Sequence, residues 1–349
     1  MSVVGFAEGA SLTDYNSRLV DDDWRRHDVC PACRSRRIRA LSQIRNVRYE
    51  RCRDCGLSFA NPTPPDGVLA EFYNSAYYNN YRICERERLR SDPYFSISTA
   101  FIPVIADWVK DRASDKVLDF GCGPGSFLAY LRDKHGFSNL YGVELNRESA
   151  AIAWQAHGLR VATDMSGLDG QRFDLIALIE VIEHMSDLEG TMRTLDRLLA
   201  PGGRLLITTD EISNPGSRFL PAWAPHFSGP SHLSLFTEKA LETLLRRFGF
   251  EIEKKLVARS DAFLGDGALA PFYRLDFVSP TSSAEPLDHY YVPTALGRVL
   301  GFRPGRRPAL ACRLLRRADR LVAKALRSLR LADPREHQLV LARRIASEA

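Results

Sequence analysis

The fold is decided by one stretch of the sequence, Val117-Leu118-Asp119-Phe120-Gly121-Cys122-Gly123-Pro124-Gly125-Ser126. Its apolar start predicts a buried strand, its glycines predict a tight turn, and its last residue opens a predicted helix. Glycine lets the backbone approach a bound ligand closely, and the free amide groups at the start of a helix can receive the polar groups of that ligand. The stretch therefore predicts a loop that cradles a cofactor.

Short apolar strands and amphipathic helices alternate around this loop. The pattern predicts seven strands, at residues 116–120, 140–144, 159–162, 173–179, 204–208, 250–257 and 337–344. It predicts four helices between them, at residues 126–135, 147–157, 187–199 and 238–248. Strands separated in this way by helices are typical of a mostly parallel sheet covered on both faces, so we expect a doubly wound α/β fold. The last strand is expected to pair beside 250–257 at the edge of the sheet.

The remaining segments suggest how the chain is organised. In order, we expect a loose polar leader (1–27), a small cysteine-rich unit (28–62), connecting helices (63–112) and the main domain (113–349) with an insertion (259–334). The connecting helices are predicted at 66–81 and 94–112, the second with a kink at Pro103. The insertion contains a predicted helix, 309–331, with leucines on one face and arginines on the other. Such a helix packs on its own domain, or it contacts a membrane surface or a partner.

Composition and charge exclude several classes of protein. At 349 residues, 45% of them apolar, the chain can bury one large core and a small accessory one. We expect neither a spanning helix nor a signal peptide, because the necessary apolar runs are missing. Seven cysteines without a disulfide pattern suggest a cytoplasmic protein. The net charge of +5 is concentrated at 34–48 and 313–327. These are solvated basic faces, or they bind acidic substrates, nucleic acid or a membrane surface.

Two acidic residues sharpen the prediction for the cofactor. Asp119 ends the strand before the glycines, where a carboxylate suits a ligand with a positive amino group better than a pyrophosphate. Glu144 ends the next strand, about twenty residues further on, where its two oxygens can accept both hydroxyls of a ribose.

With these acids, the glycine loop and the turn and strand at 198–207, residues 95–258 resemble the class I methyltransferases. That family uses S-adenosylmethionine. The resemblance implies that S-adenosylmethionine is bound by Asp119, Gly121, Gly123 and Glu144. It also implies that Asp164 lies near the adenine.

A second group of polar residues follows the fourth predicted strand, in Glu180-Val181-Ile182-Glu183-His184. If this turn is helical, spacings of three and four place its two carboxylates and its imidazole on one face. Ligands bind at the carboxyl ends of the strands in open α/β sheets. His226 and His232, in a later loop, could supply a further imidazole at the same edge.

This arrangement resembles two groups of metal-assisted O-methyltransferases, those of ubiquinone biosynthesis and those that act on the terminal 2′-hydroxyl of small RNAs. The resemblance implies that a divalent ion (Mg, Mn or Zn) is held by Glu180, Glu183, His184 and His232. The ion would bind the acceptor diol and lower the pKa of its hydroxyl. Glu180 is also assigned to the cofactor site. Without an ion, the candidate catalytic residues are Glu183, His184 and His226, with one of the two histidines as the base.

Four cysteines predict a metal site in the first unit. Cys30 and Cys33 form one C-x2-C pair, Cys52 and Cys55 form another, and eighteen residues separate the pairs. This is the spacing of a zinc ribbon, whose four thiolates leave no open coordination position, so its zinc is expected to be structural. We expect the ribbon to unfold without the main sheet when a cysteine is lost. Similar ribbons precede bacterial sugar methyltransferases, some of which methylate carbon.

The sequence therefore predicts an O-methyltransferase acting on a hydroxyl of a sugar or another polyhydroxylated small molecule. The alternatives are an RNA 2′-O-methyltransferase, a sugar C-methyltransferase, and a non-catalytic zinc-ribbon assembly protein. The presence of both Asp119 and Glu144 favours an enzyme.

Overall fold

The structure, a computed structural model, describes residues 24–44, 47–95, 101–214, 217–218, 221, 226–227, 229, 231–259, 273–276, 290–293, 310–328 and 335–345. Most of the predicted leader and much of the predicted insertion lie outside these residues.

The secondary structure of the described residues alternates as the sequence predicts. Its strands are, in chain order, β1 (Ile38–Ile44), β2 (Val47–Cys52), β3 (Ser58–Ala60), β4 (Val117–Phe120), β5 (Leu140–Val143), β6 (Val161–Ala162), β7 (Phe173–Ile179), β8 (Leu199–Asp210), β9 (Ser234–Leu235), β10 (Phe250–Arg259), β11 (Tyr273–Asp276), β12 (Tyr290–Pro293) and β13 (Arg335–Arg344). Its α-helices are α1 (Asp66–Tyr73), α2 (Ala76–Leu89), α3 (Ile102–Val109), α4 (Ser126–His135), α5 (Arg147–His157), α6 (Leu188–Leu198), α7 (Glu238–Arg247) and α8 (Leu310–Ser328). Short 3-10 turns cover Lys110–Arg112, Ser166–Leu168 and Ile182–His184.

The main sheet has seven strands in the order β10-β13-β8-β7-β4-β5-β6. The neighbours from β8 to β6 are parallel, and β13 is antiparallel to both β8 and β10. The predicted doubly wound, mostly parallel sheet is confirmed. The last strand pairs with β10 as expected, but the prediction that it lies at the edge is wrong, because β13 fills the position between β10 and β8. Its run of buried apolar residues, Leu339 to Ala342, is typical of a central strand.

The cysteine-rich unit is joined to the main domain. Its strands form a four-stranded sheet in the order β1-β2-β3-β9, and β9 comes from the chain after β8. The side chains of Leu57 and Phe59 belong to the same hydrophobic cluster as Leu118 and Phe236 of the main domain. Because this buried surface is shared with the main core, the structure favours joint unfolding over the expected separate unfolding of the ribbon.

The connecting helices differ from the prediction in their bounds. The helix expected at 66–81 is divided, because Ser75 caps a second helix by accepting a hydrogen bond from the amide of Tyr78 at 3.3 Å. The helix expected at 94–112 begins only at Ile102. Pro103 therefore lies in the first turn, where it breaks no helical hydrogen bond and causes no kink.

The described parts of the predicted insertion contain more than a helix. Strands β11 and β12 pair with each other as a separate antiparallel sheet, and α8 follows them. Every helix in the described part of the chain is too short or too polar to cross a lipid bilayer.

Candidate active site

The predicted cradle for the cofactor lies between β4 and α4. Its backbone is left-handed at all three glycines, with φ angles of +77°, +54° and +79° at Gly121, Gly123 and Gly125. A Cβ atom at Gly121 would also lie 2.7 Å from Cγ2 of Val181. The loop thus packs directly on the turn that carries the predicted acceptor residues. The predicted positions of the cofactor and of the methyl acceptor are therefore adjacent.

Asp119 is buried at the end of β4, and its Oδ1 makes no hydrogen bond to any described residue. Burial, and then the nearby carboxylate of Glu144, raise the pKa of Asp119 to about 8. A buried carboxyl group without a partner is costly to the folded protein unless a ligand supplies the partner. An ammonium group would do so, and the site therefore fits a ligand with a positive amino group.

Glu144 follows β5 and faces the same loop. Its Oε2 accepts a hydrogen bond from the amide of Gly123 at 2.8 Å, and its Oε1 accepts one from the amide of Asn146 at 2.7 Å. Each carboxylate oxygen has a second lone pair, so Glu144 can still accept the hydroxyls of a ribose.

Asp164 lies in the loop after β6, and its side chain is exposed. Its Oδ1 accepts hydrogen bonds from the hydroxyl and the amide of Ser166, and these bonds lower the pKa of Asp164. The carboxylate is thus oriented by its own loop. Contact with an adenine stays a prediction.

The turn after β7 is only partly helical. Glu180 has a φ of +55°, and the 3-10 turn begins at Ile182. The hydroxyl of Thr208 donates to Oε1 of Glu180 at 2.8 Å and holds it beside β8. The candidate ligand atoms consequently form two groups rather than the single one expected.

The first group consists of Glu183, His184 and His232, whose candidate ligand atoms lie within 4.8 Å of one another. Glu183 is fully buried, and its Oε2 accepts a hydrogen bond from the hydroxyl of Thr209 at 2.8 Å. Its Oε1 makes no hydrogen bond to a described residue and lies 4.0 Å from Nε2 of His184. One carboxylate oxygen is thus buried, unsatisfied and next to an imidazole.

Both histidines of this group are oriented through Nδ1. The Nδ1 atom of His184 lies 2.6 Å from the carbonyl of Ser231, and that of His232 lies 2.8 Å from the carbonyl of His226. A carbonyl only accepts, so each Nδ1 carries the proton and each Nε2 keeps a lone pair for a ligand. The two rings meet edge to face at 4.8 Å between centroids.

The electrostatics of the first group suit a cation. Burial, and then Glu180 and Asp210, raise the pKa of Glu183 well above its ordinary value. Burial lowers the pKa of His184, and burial together with His184 lowers the pKa of His232 to about 3. The imidazoles are therefore neutral, the form that binds metals, and a divalent ion would stabilise the ionised form of Glu183.

The second group consists of Glu180, Asp210 and His337, with His226 beside it. Nε2 of His337 lies 3.3 Å from Oδ1 of Asp210 and 3.5 Å from Oε2 of Glu180. Nδ1 of His226 lies 2.7 Å from Oδ2 of Asp210. Burial raises the pKa of Asp210, but His226 and His337 lower it more, and the result lies well below the usual range. Asp210 is therefore an ionised carboxylate that orients two imidazoles.

Tyr73, at the end of α1, lies beside His184 of the first group and is influenced by both Glu183 and Glu144. Its ring meets that of His184 edge to face at 6.0 Å between centroids, and its buried hydroxyl makes no hydrogen bond to a described residue. Burial, and then the neighbouring Tyr78, Glu183 and Glu144, raise the pKa of Tyr73 well above its ordinary value. Tyr73 therefore keeps its proton and can donate it to a ligand between the cofactor loop and His184.

Sequence analysis missed Asp210, His337 and Tyr73. Asp210 and His337 face each other as register partners of β8 and β13. The signal was positional: an acid at the carboxyl end of one predicted strand and an imidazole at the start of another. Only the antiparallel pairing shows that these two ends meet.

The four predicted zinc ligands are brought together. The Sγ atoms of Cys30 and Cys55 lie 3.6 Å apart, and those of Cys33 and Cys52 lie 3.5 Å apart. Four thiolates at about 2.3 Å from one zinc ion are separated by about 3.8 Å, so the cluster fits tetrahedral coordination. The cluster is attached to α7 by Arg247, which donates to the carbonyls of Pro31 at 2.8 Å and Ala32 at 2.9 Å.

The sheet order, the glycine loop and the two buried acids define a class I, S-adenosylmethionine-dependent methyltransferase domain. The family model that matches the chain is described as a methyltransferase domain, and it covers residues 96–255. The class predicted from the sequence is thereby confirmed for this part of the chain.

Known proteins with similar sequences are methyltransferases of more than one kind. The chain is 30% identical over 120 residues to the ubiquinone biosynthesis O-methyltransferase of Pseudomonas aeruginosa. The aligned region covers 31% of this chain and 50% of that protein. It is 25% identical over 182 residues to phosphoethanolamine N-methyltransferase 1 of Zea mays. That aligned region covers 49% of this chain and 36% of the Zea mays protein. The chain thus spans about half, or less, of the length of these relatives.

Among solved structures, magnesium protoporphyrin IX methyltransferase from Synechocystis PCC 6803 aligns with 80% of this chain and 100% of its own. The TM-score is 0.46 and the sequence identity is 14%.

Proposed function

We propose that this chain is an O-methyltransferase that transfers the methyl group of S-adenosylmethionine to a hydroxyl of a polyhydroxylated small molecule, with a sugar as the first candidate, assisted by a divalent ion. The observation that carries this proposal is the unsatisfied Oε1 of buried Glu183, which faces His184 beside His232. Such an arrangement at the carboxyl edge of a parallel sheet suits a cation and the oxygen atoms that it binds.

The residues of the cradle account for cofactor binding in this proposal. Asp119 pairs with the amino group of the cofactor through its unsatisfied oxygen, Glu144 accepts the ribose hydroxyls, and Gly121 and Gly123 let the backbone come close. When bound, S-adenosylmethionine supplies an electrophilic methyl group. Asp164 is the candidate neighbour of the adenine at the exposed rim.

The ion is assigned to three ligands rather than four. Glu183, His184 and His232 offer one carboxylate oxygen and two imidazole nitrogens, a set that Zn²⁺ and Mn²⁺ accept and that leaves positions for an acceptor diol. A divalent ion held there would lower the pKa of a bound hydroxyl. Glu180 lies in the neighbouring group, at the junction of the ion site and the cofactor loop.

The second group supplies an acceptor for the proton that the hydroxyl releases. His226 is held by the ionised Asp210 at 2.7 Å, and the same carboxylate lies 3.3 Å from His337. A carboxylate that orients an imidazole makes it a better base. We therefore assign general-base catalysis to His226, oriented by Asp210, whether or not an ion is bound.

The choice of oxygen as acceptor rests on the chemistry of these groups and on one relative. Carboxylates and imidazoles that bind a cation suit a vicinal diol, and the name of the Pseudomonas aeruginosa relative specifies an O-methyltransferase. We extend this to a sugar-like acceptor because a zinc ribbon precedes the domain. An RNA acceptor would instead show binding that weakens steeply with salt.

We propose that residues 28–62 are a ribbon around one structural zinc ion held by Cys30, Cys33, Cys52 and Cys55. All four thiols are unpaired by disulfides, and three of them are buried. Free cysteines agree with a reducing compartment, and a cytoplasmic location remains part of the proposal. The ribbon stabilises the face of the domain formed by α7 and β9.

The test is to measure Mn²⁺ binding and methyl transfer in matched variants. Purified protein would be dialysed against a mild chelator, and zinc would be measured by elemental analysis to show that the ribbon stays loaded. Glu183→Gln and His232→Asn are expected to weaken Mn²⁺ binding by more than roughly tenfold. Glu180→Gln is the comparison variant, and it should weaken Mn²⁺ binding much less than the ligand variants, because it removes a nearby charge but no ligand.

Turnover would be followed as S-adenosylhomocysteine formed with a panel of sugars and catechols. Chelation should abolish turnover without changing cofactor affinity, and Mn²⁺ or Mg²⁺ should restore it. Single and double ligand variants should lose activity to a similar extent, because ligands of one ion act non-additively. Turnover that is unaffected by the chelator would refute the catalytic role of the divalent ion, and His184 or His226 would then act as a simple base.

A further inference from the structure

The described side chains of helix α8, at 317–325 and 328, include a narrow buried strip. Among its described side chains, Asp319 and Ala323 are buried, and they lie one turn apart on the same face. The side chain of Leu321 is 61% exposed and that of Val322 is 46% exposed. This part of the helix therefore turns Leu321 and Val322 toward solvent.

The exposed residues are sorted by type around the helix. With 3.6 residues per turn, Ala318, Leu321, Val322 and Ala325 fall within an arc of about 100°. The exposed basic residues Arg317, Arg320 and Lys324 fall in a second arc, between the apolar arc and the buried strip. A contiguous apolar face bordered by positive charge is left in solvent.

The charge of α8 is equally one-sided. The helix contains one acidic residue, Asp319, and six basic residues, Arg313, Arg316, Arg317, Arg320, Lys324 and Arg327. Its excess of five positive charges equals the net charge of the whole chain, +5. The helix is therefore one of the two strongly basic stretches of the chain, the other being 34–48, and it is the one that combines its charge with an exposed apolar arc.

These two features together select the kind of partner. A nucleic acid would use the basic arc but would leave the apolar arc uncovered, and an apolar protein groove would leave the basic arc unpaired. The surface of a membrane with anionic phospholipids takes both, because the apolar face enters the boundary of the acyl chains while the basic residues stay at the headgroups. We propose that α8 docks the protein on an anionic phospholipid membrane. The proposal is independent of the ion and of the methyl acceptor.

The first test is co-sedimentation of the full chain with vesicles of phosphatidylglycerol and phosphatidylcholine, compared with vesicles of phosphatidylcholine alone. We expect binding to the anionic vesicles only, weakened by salt. The double variant Leu321→Glu/Val322→Glu should bind at least tenfold more weakly. Trp154→Glu is the matched control, because Trp154 is 54% exposed on α5, outside this helix, and its loss should leave vesicle binding unchanged.

A second measurement follows the apolar face directly. The Leu321→Trp variant should gain a blue-shifted fluorescence component when anionic vesicles are added, since its indole enters the interface. Unchanged cofactor affinity would show that each variant is folded, and Arg320→Glu/Lys324→Glu would replace the apolar variant if that one does not fold. The proposal is overturned if the unchanged protein does not bind anionic vesicles, if binding survives both double variants, or if single-stranded RNA binds the helix while vesicles do not.

Discussion

Replacement of Asp119 by asparagine should remove a pH dependence of cofactor binding that the buried carboxyl creates. The pKa of Asp119 is raised to about 8 in the ligand-free protein. A carboxyl group with that pKa is ionised in about one molecule in a hundred at pH 6 and in about half of them at pH 8. Pairing with an ammonium group favours the ionised form, so binding releases a proton below pH 8.

The size of the effect follows from that population. If the pKa in the complex falls well below 6, ionisation of Asp119 alone raises affinity roughly 50-fold between pH 6 and pH 8. About half of the α-amino groups of the ligand are deprotonated at pH 8, so the net rise is roughly 25-fold, or about 1.9 kcal/mol. Above pH 8 the affinity falls again, because an α-amino group loses its proton near that pH. The Asp119→Asn variant should bind more weakly and should lack the rise between pH 6 and pH 8.

The assay is calorimetric titration with S-adenosylhomocysteine, which carries the same amino group, at pH 6, 7 and 8. Thermal unfolding gives an independent readout. The folded pKa lies above the ordinary value of 3.8, so the ligand-free protein loses stability as pH rises from about 4 toward 8, and Asp119→Asn should reduce that loss. Equal pH profiles in the two proteins would refute the assignment of the ammonium group to Asp119.

Three further outcomes are expected. Gly121→Ala should weaken cofactor binding or destabilise the domain by about 1–3 kcal/mol, because its Cβ atom would lie 2.7 Å from Val181. Gly123→Ala strains the backbone without a clash, so thermal unfolding should show a smaller loss of stability. His337→Gln should lower turnover several-fold with unchanged affinity for S-adenosylhomocysteine, and equal loss of both would make His337 structural. Cys30→Ser should lower the stability of the ribbon and the main sheet together. Calorimetry should then show one unfolding transition at a lower temperature, and an unchanged unfolding transition of the main domain would contradict the shared core.

Elements with a strong local pattern could be predicted from the sequence. Strand β7 and helix α5 have the bounds expected, 173–179 and 147–157. The signal for β7 is local, because it ends in an apolar run from Leu175 to Ile179. The signals for α5 are a capping asparagine and a closing glycine, since Asn146 accepts from the amide of Ser149 at 2.7 Å and Gly158 has a φ of +67°. The cofactor loop was predicted for the same reason.

Features that depend on pairing between distant segments could not be predicted. The prediction of one four-ligand group treated the turn at 180–184 as helical, whereas the hydrogen bonds to Thr208 hold Glu180 beside β8. His337 is brought to the site by the pairing of β13 with β8, and the ribbon is brought to the main domain in part by the pairing of β3 with β9. No periodicity within either segment specifies its partner.

The central position of β13 gives the protein an order of assembly during synthesis. The neighbours β8 and β10 are complete once residue 259 has left the ribosome, but the strand that joins them begins only at residue 335. Until then two strand edges stay open, which exposes the nascent chain to wrong pairing. The cradle around Asp119 can form early, whereas the group that contains His337 forms last. With the assignments proposed above, a growing chain would be able to hold its methyl donor before it completes the proposed place of methyl transfer.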